Sequence, residues 1–124
     1  MNFLLDTHVL LWWFADSSEL SAKARDTIVR AELVYVSAAT AWEIAIKRAL
    51  GKLTAPDDLE GAVRINRFTP LPVTIAHAVL AGALARYHDD PFDRMLVAQA
   101  KAESLSLITH DSRLKDYGVR VLLV

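Results

Sequence analysis

The stretch Asn2-Phe3-Leu4-Leu5-Asp6-Thr7-His8-Val9-Leu10-Leu11-Trp12-Trp13-Phe14 decides the fold class. Its opening residues, Asn2 to Leu5, are a short apolar run that reads as a strand. Thr7 to Phe14 reads as a helix, and an acid, Asp6, stands at the junction. The same alternation continues outward. Residues 21–30 predict a helix capped by Ser21, with Ala24, Ile28 and Ala31 as its apolar stripe. Leu33 to Val36 is rich in extended-backbone formers and predicts a second strand. Residues 38–50 predict a strong helix, with Ala41, Trp42, Ala45, Ile46 and Ala49 at helical spacing and Gly51 as its stop. Asp57 or Asp58 opens a further helix ending near Arg67. Pro70 to Val73 must be extended, because two prolines forbid much else. Residues 75–87 read as helical, and Asp90-Pro91 opens a helix running to about Ser104. Ser106 to Thr109 is a strand, residues 115–118 a turn with a helical turn before it, and residues 119–124 a last strand. Strands alternating with helices predict an α/β domain with a parallel sheet covered on both faces.

Composition narrows the class further. A chain of 124 residues predicts one domain, spanning residues 1–124, large enough to bury a core without staples. It has no cysteine, which excludes disulfides and thiolate zinc sites. Lys and Arg number 14 against 15 Asp and Glu, so the average surface is no basic nucleic-acid patch. Apolar residues make up 53%, which excludes disorder and suggests an additional buried surface such as a dimer face or partner groove. The run Val9 to Phe14 is too short to span a bilayer, and no basic region precedes it. The expectation is a cytoplasmic protein with no membrane contact.

The acids carry the chemical signal. Each has an ordinary role when taken alone. Asp6 can cap the helix from Thr7, and Glu43 can pair with Lys47 on an exposed helix face. Asp90 can cap the helix at Pro91, with Asp93 in its first turn, and Asp111 can cap a short turn over residues 112–114. Their shared location changes the reading. In a parallel sheet the C-terminal strand ends lie on one edge, where ligand crevices form. Asp6 and Asp111 lie at such ends, and Glu43 and Asp93 lie on helices that leave or begin at that edge. Two like charges about 4 Å apart repel by about 4 kcal/mol at an effective dielectric near 20. Either some carboxyls stay protonated or a cation neutralises them. All-oxygen ligation suits a hard ion, Mg²⁺ or Mn²⁺, and the natural chemistry is in-line attack of metal-activated water on a phosphodiester.

Four blocks then align with a known family. They are Leu4-Leu5-Asp6-Thr7-His8, Ser37 through Trp42-Glu43-Ile44, Asp90-Pro91-Phe92-Asp93-Arg94-Met95-Leu96-Val97-Ala98-Gln99-Ala100, and Leu107-Ile108-Thr109-His110-Asp111. In order and spacing they resemble the PIN-domain family, and within it the VapC-type toxins of type II toxin–antitoxin pairs. The resemblance implies a three-layer α/β/α fold with a central parallel sheet of about four to five strands. It implies Mg²⁺- or Mn²⁺-dependent endonucleolytic cleavage of RNA, with Asp6, Glu43, Asp93 and Asp111 as the acidic quartet. Asp6 and Asp93 map onto the direct metal ligands, with Glu43 and Asp111 acting directly or through water. Ser37 and Thr109 map onto the family's small polar positions, as hydroxyls that orient water or a phosphate oxygen, with Thr7 beside Asp6; Arg94, next to a site acid, suits either a scissile phosphate or a pair with Asp90. The resemblance further implies a homodimer and a cognate antitoxin, with operator DNA bound only through that antitoxin.

The remaining candidates have weaker patterns. His8, His77, His88 and His110 fit no zinc spacing and read as surface or capping residues, with His8 and His110 adjacent to site acids. Trp12, Trp13 and Trp42 read as core or interface residues before base-stacking ones. Lys47, Arg48 and Lys52 suit either an RNA backbone or a helix C-terminus. Two rival functions remain: a phosphoryl-accepting domain using Asp6, weakened because the expected second acid is His8, and a non-catalytic module that grips a protein partner.

Overall fold

A computed structural model describes all 124 residues. The chain runs β1 (Asn2–Leu5), α1 (Thr7–Phe14), α2 (Ala22–Arg30), β2 (Leu33–Ser37), α3 (Ala38–Ala49), α4 (Leu59–Ile65), β3 (Thr69–Leu71), α5 (Ile75–Ala83), α6 (Pro91–Glu103), β4 (Ser106–Thr109), a 3₁₀ helix (Ser112–Tyr117) and β5 (Val121–Leu123). The five strands form one sheet in the order β3-β2-β1-β4-β5. Every neighbouring pair is parallel. This is the α/β class and sheet type that the alternation predicts.

Both faces of the sheet are covered, and alternate residues of the strands divide between two cores. Phe3 and Leu5 of β1 join Val34, Val36 and Ile108 in one core, which Val9, Leu10, Ala24, Ile28 and Ile44 close from the helices. Leu4 and Leu107 point the opposite way, into a core with Leu96, Val97 and Ala100 of α6 and Leu114 and Tyr117 of the 3₁₀ helix. Leu4, Leu5, Leu107 and Ile108 are fully buried, so truncating any one to Ala costs about 2–5 kcal/mol.

Side-chain caps fix where the helices start. Asp6 accepts from Val9 N, Ser21 from Ala24 N, Ser37 from Ala39 N, Asp58 from Gly61 N and Asp111 from Arg113 N. Asp90 accepts from Phe92 and Asp93 N, with Pro91 in the first helical position. Thr74 and His77 form a reciprocal capping box at the start of α5.

Two boundaries differ from the sequence reading. The helix expected over residues 75–87 stops at Ala83. The cause is Arg94, whose guanidinium donates to the carbonyls of Ala81, Leu84, Ala85 and His88 at 2.9–3.4 Å. One long side chain thereby replaces the missing helical donors and lets residues 84–90 run as a loop across the sheet edge. The last strand is Val121–Leu123, shorter than expected at both ends. Gly118, at φ 79°, turns the chain out of the 3₁₀ helix and delays the strand.

Candidate active site

Because every strand is parallel, β1, β2, β3 and β4 all end on the same edge. Register places Leu5 beside Ile108, and the Asp6 amide donates to the Ile108 carbonyl at 3.0 Å. Asp6 therefore stands next to Thr109. Its Oδ1 accepts from Val9 N at 2.9 Å, the helix-capping bond. Its Oδ2 accepts a short hydrogen bond from Thr109 Oγ1. Thr109 Oγ1 in turn accepts from the Asp111 amide at 3.1 Å. A single buried hydroxyl thus spaces the first and last acids of the quartet.

Glu43 enters from the second turn of α3. Of its two readings, an exposed pair with Lys47 or a member of the acidic group, the exposed one fails: Glu43 is 3% exposed, although it does bond Lys47. Thr7 Oγ1 donates to Oε1 at 2.6 Å, and Lys47 Nζ donates to Oε2 at 2.5 Å. Thr40 Oγ1 lies 3.3 Å from the Thr7 hydroxyl and completes the buried polar group. The carboxylate raises the Lys47 pKa, chiefly through this hydrogen bond, so Lys47 stays charged.

Asp93 comes from the first turn of α6. Burial, then the charges of Asp90, Asp6 and Glu43, push its carboxyl up to about 6, although His88 pulls the other way. This is the electrostatic signature of convergence: acids from separate elements act on one carboxyl. His88 Nε2 lies 2.8 Å from Asp93 Oδ2 and 3.2 Å from Asp111 Oδ2. The Asp90 amide approaches His88 Nδ1 at 3.5 Å, which assigns the ring proton to Nε2 between the two acids. Tyr117 holds the His88 main chain, accepting from its amide at 3.0 Å. Arg113 forks onto Asp111 through Nε and Nη2 at 2.7–3.2 Å and holds that carboxyl down at about 2.

The structure thus links Asp6, Thr109, Asp111, His88 and Asp93 into one run of contacts, with Glu43 bonded to Thr7 on its far side. Ser37 is buried and caps α3 through Ala39 N. Arg94 is placed otherwise than expected: its donors face main-chain carbonyls, which makes it a loop clamp instead of a phosphate contact. Of the basic trio, Lys47 bonds Glu43, and Arg48 bonds Asp57 and the Pro56 carbonyl. His88, Thr40 and Arg113 belong to this site but were not singled out from the sequence as part of it. The first sits in a loop whose path depends on Arg94. Thr40 carried a usable signal, since it lies three residues before Glu43 on the same helical face.

The donor set matches a hard divalent ion. Carboxylate oxygens dominate, and ligand atoms of His88, Asp93 and Asp111 all lie within 4.8 Å of one another. The raised Asp93 carboxyl records the negative charge that such an ion offsets.

Fold and site together define an α/β domain with an acidic notch at the carboxyl edge of its parallel sheet, and comparison with known proteins makes the class specific. The PIN-domain family model matches residues 3–119, and the chain belongs to that family. Ribonuclease VapC22 of Mycobacterium tuberculosis is 31% identical over 121 residues, covering 92% of this chain and 90% of that protein. The fold is also that of VapBC2 from Rickettsia felis, solved bound to a promoter DNA fragment, with a TM-score of 0.72 at 12% identity, covering 100% of this chain and 99% of that one. DNA-bound VapBC from Salmonella typhimurium gives a TM-score of 0.71 at 21% identity, covering 98% and 97%.

Proposed function

We propose that this protein is a Mg²⁺-dependent endoribonuclease, with Mn²⁺ as a substitute, and the toxin of a type II toxin–antitoxin pair. The observation that carries the reading is Asp93, raised to about 6 by burial and by three other acids around one notch. Similarity to a VapC ribonuclease over nearly the whole chain supports the substrate class.

Asp6 and Asp93 hold the ion directly, and Glu43 and Asp111 hold it directly or through water. When bound, it supplies the positive charge that admits an RNA phosphate and lowers the pKa of a water molecule. Thr109 fixes the Asp6 carboxylate by donating its hydroxyl proton. Thr7 and Lys47 orient Glu43 by donating to its two carboxylate oxygens. His88 keeps a proton at Nε2 between Asp93 and Asp111, and Arg113 locks the Asp111 rotamer. Water attack leaves a 5′-phosphate on the product.

Assembly follows the same reading. α3 exposes Trp42, Ile46 and Leu50 at four-residue intervals, and α5 exposes Ile75 and Val79. Apolar faces of this kind support a homodimer and a bound antitoxin. The VapBC structures, solved as complexes with DNA, support operator binding by the pair, through the antitoxin. No helix is long and apolar enough to cross a membrane, and the reading places the protein in the cytoplasm.

The test incubates purified protein and RNA with Mg²⁺, with Mg²⁺ plus excess EDTA, and with Asp6→Asn in place of the unsubstituted chain. Cleavage to 5′-phosphate ends in the first arm alone is the expected result. Equal cleavage in all three arms would sink the reading.

A further inference from the structure

Three aromatic rings stand beside the acids without serving them. His8 and Trp12 lie one helical turn apart on α1, and His110 follows Thr109 at the end of β4. The imidazoles of His8 and His110 meet edge to face, with centroids 4.7 Å apart at 72°. Trp12 meets His110 at 5.3 Å and lies 6.0 Å from His8. His110 Nδ1 comes within 3.5 Å of Asp6 Oδ2, so the rings border the notch itself.

Core packing accounts for only part of this cluster. Trp12 is half-buried against the core that contains Val9 and Leu10, which gives the cluster a rigid base. His8 and His110 are exposed, and the His110 side chain keeps 42% of its surface. Edge-to-face packing leaves ring faces uncovered. No aliphatic side chain of the fold requires two exposed imidazoles there. The surface is aromatic, with rings inclined at 49–72° to one another so that a planar group can stack on one face against the edges of the others, next to a notch suited to a phosphate with its counter-ion. A flat aromatic ring covalently joined to a phosphate fits both parts at once. Bases within a duplex are already stacked and paired, whereas unpaired bases stack on Trp and His side chains.

We propose that His8, Trp12 and His110 seat an unpaired nucleobase of RNA, that of the nucleotide flanking the bond held at the acids. This rests on the ribonuclease reading and adds a positioning role for the three rings. Base preference at this seat follows stacking strength, with purines above pyrimidines. His110 also touches Asp6, so His8, which does not bond an acid, is the cleaner probe.

Two readouts test the seat, both on the full chain. In the first, fluorescein-labelled oligoadenylate and oligouridylate are titrated with Asp93→Asn protein in Mg²⁺ by anisotropy. In the second, the unsubstituted chain cuts a mixed RNA pool, and the bases beside the cuts are sequenced. His8→Ala and His110→Ala should each weaken oligoadenylate binding about tenfold and relax the base preference at one position beside the cut. His110→Phe, which keeps a ring but loses the contact to Asp6, should stay within about threefold of the parent. Alanine variants that match the parent in both readouts, or a phenylalanine variant as weak as alanine, overturn the seat while leaving ribonuclease activity standing. An unsubstituted protein that neither binds nor cuts RNA in Mg²⁺ or Mn²⁺ overturns the ribonuclease reading and the seat with it.

Discussion

Asp6 and Glu43 form one side of the notch, and Asp93 and Asp111 form the other. On the first side each carboxylate is buried and held by neutral hydroxyls, a backbone amide and one lysine. On the second side the acids are part-exposed, bridged by the His88 ring and, at Asp111, paired with Arg113. Hydrogen bonds to buried partners set position, because breaking one strands a polar group away from water. Ion pairs near solvent are weaker and more easily rearranged. The comparison teaches a division of labour: one pair of acids is fixed in place by buried hydrogen bonds, and the other is held by charge near solvent and can rearrange.

The largest expected effect is on the fixed pair. Asp6→Ala removes the cap of α1 and leaves the Thr109 hydroxyl without its acceptor. Urea unfolding should show a loss of about 2–4 kcal/mol. Asp111→Ala, in the other pair, should lose about 1 kcal/mol. Equal losses would erase the contrast between the two sides.

Asp93→Asn should act in the opposite sense. It removes a repelled charge and keeps an acceptor for His88. Without divalent ions, at pH 8, it should stabilise the fold by roughly 2–3 kcal/mol. Millimolar Mg²⁺ or Mn²⁺ should raise the Tm of the unsubstituted chain and do so much less for the variant. A variant whose metal increment is undiminished would remove Asp93 from the ion site.

The pH dependence sharpens the same point. Asp93 titrates near 6 when folded against an ordinary 3.8 when unfolded, so the folded state binds more protons between those values. Its contribution to stability therefore falls as pH rises from about 4 to 6. Asp111, held at about 2, contributes stability above 3.8 that is lost as pH falls toward 2. Unfolding curves of the unsubstituted chain and Asp93→Asn should coincide below pH 4 and separate between 4 and 6. The smallest effect belongs to Arg113→Ala: the Asp111 carboxyl, followed by NMR titration, should move up toward the ordinary range with little change in Tm.

The strands and caps were largely legible because their causes are local. Asp6, Ser21, Asp90-Pro91 and Asp111 start their elements through bonds to amides two or three residues away. The apolar pairs Leu4-Leu5 and Leu107-Ile108 declare a two-faced strand by themselves. The four acids were legible as a group only because parallel strands share an edge. His88 was not, because its loop exists through Arg94, a residue whose position alone left open a phosphate or Asp90 as its partner. The depth of Glu43 was hidden for a related reason: an acid paired with a lysine one turn on reads the same in water as under a threonine. Trp42 was read as core or interface and is 65% exposed, a surface with nothing in the chain to cover it except Phe92 at 5.5 Å.

The hydrogen bond between Thr109 and Asp6 spans 103 positions of the chain. Strand β4, which delivers that threonine, pairs directly with β1 and is made long after it. A ribosome part-way through the message therefore carries a polypeptide whose first acid has no partner opposite it. The acidic notch therefore closes only when β4 has docked beside β1, which ties the site to one long-range pairing instead of to any local segment.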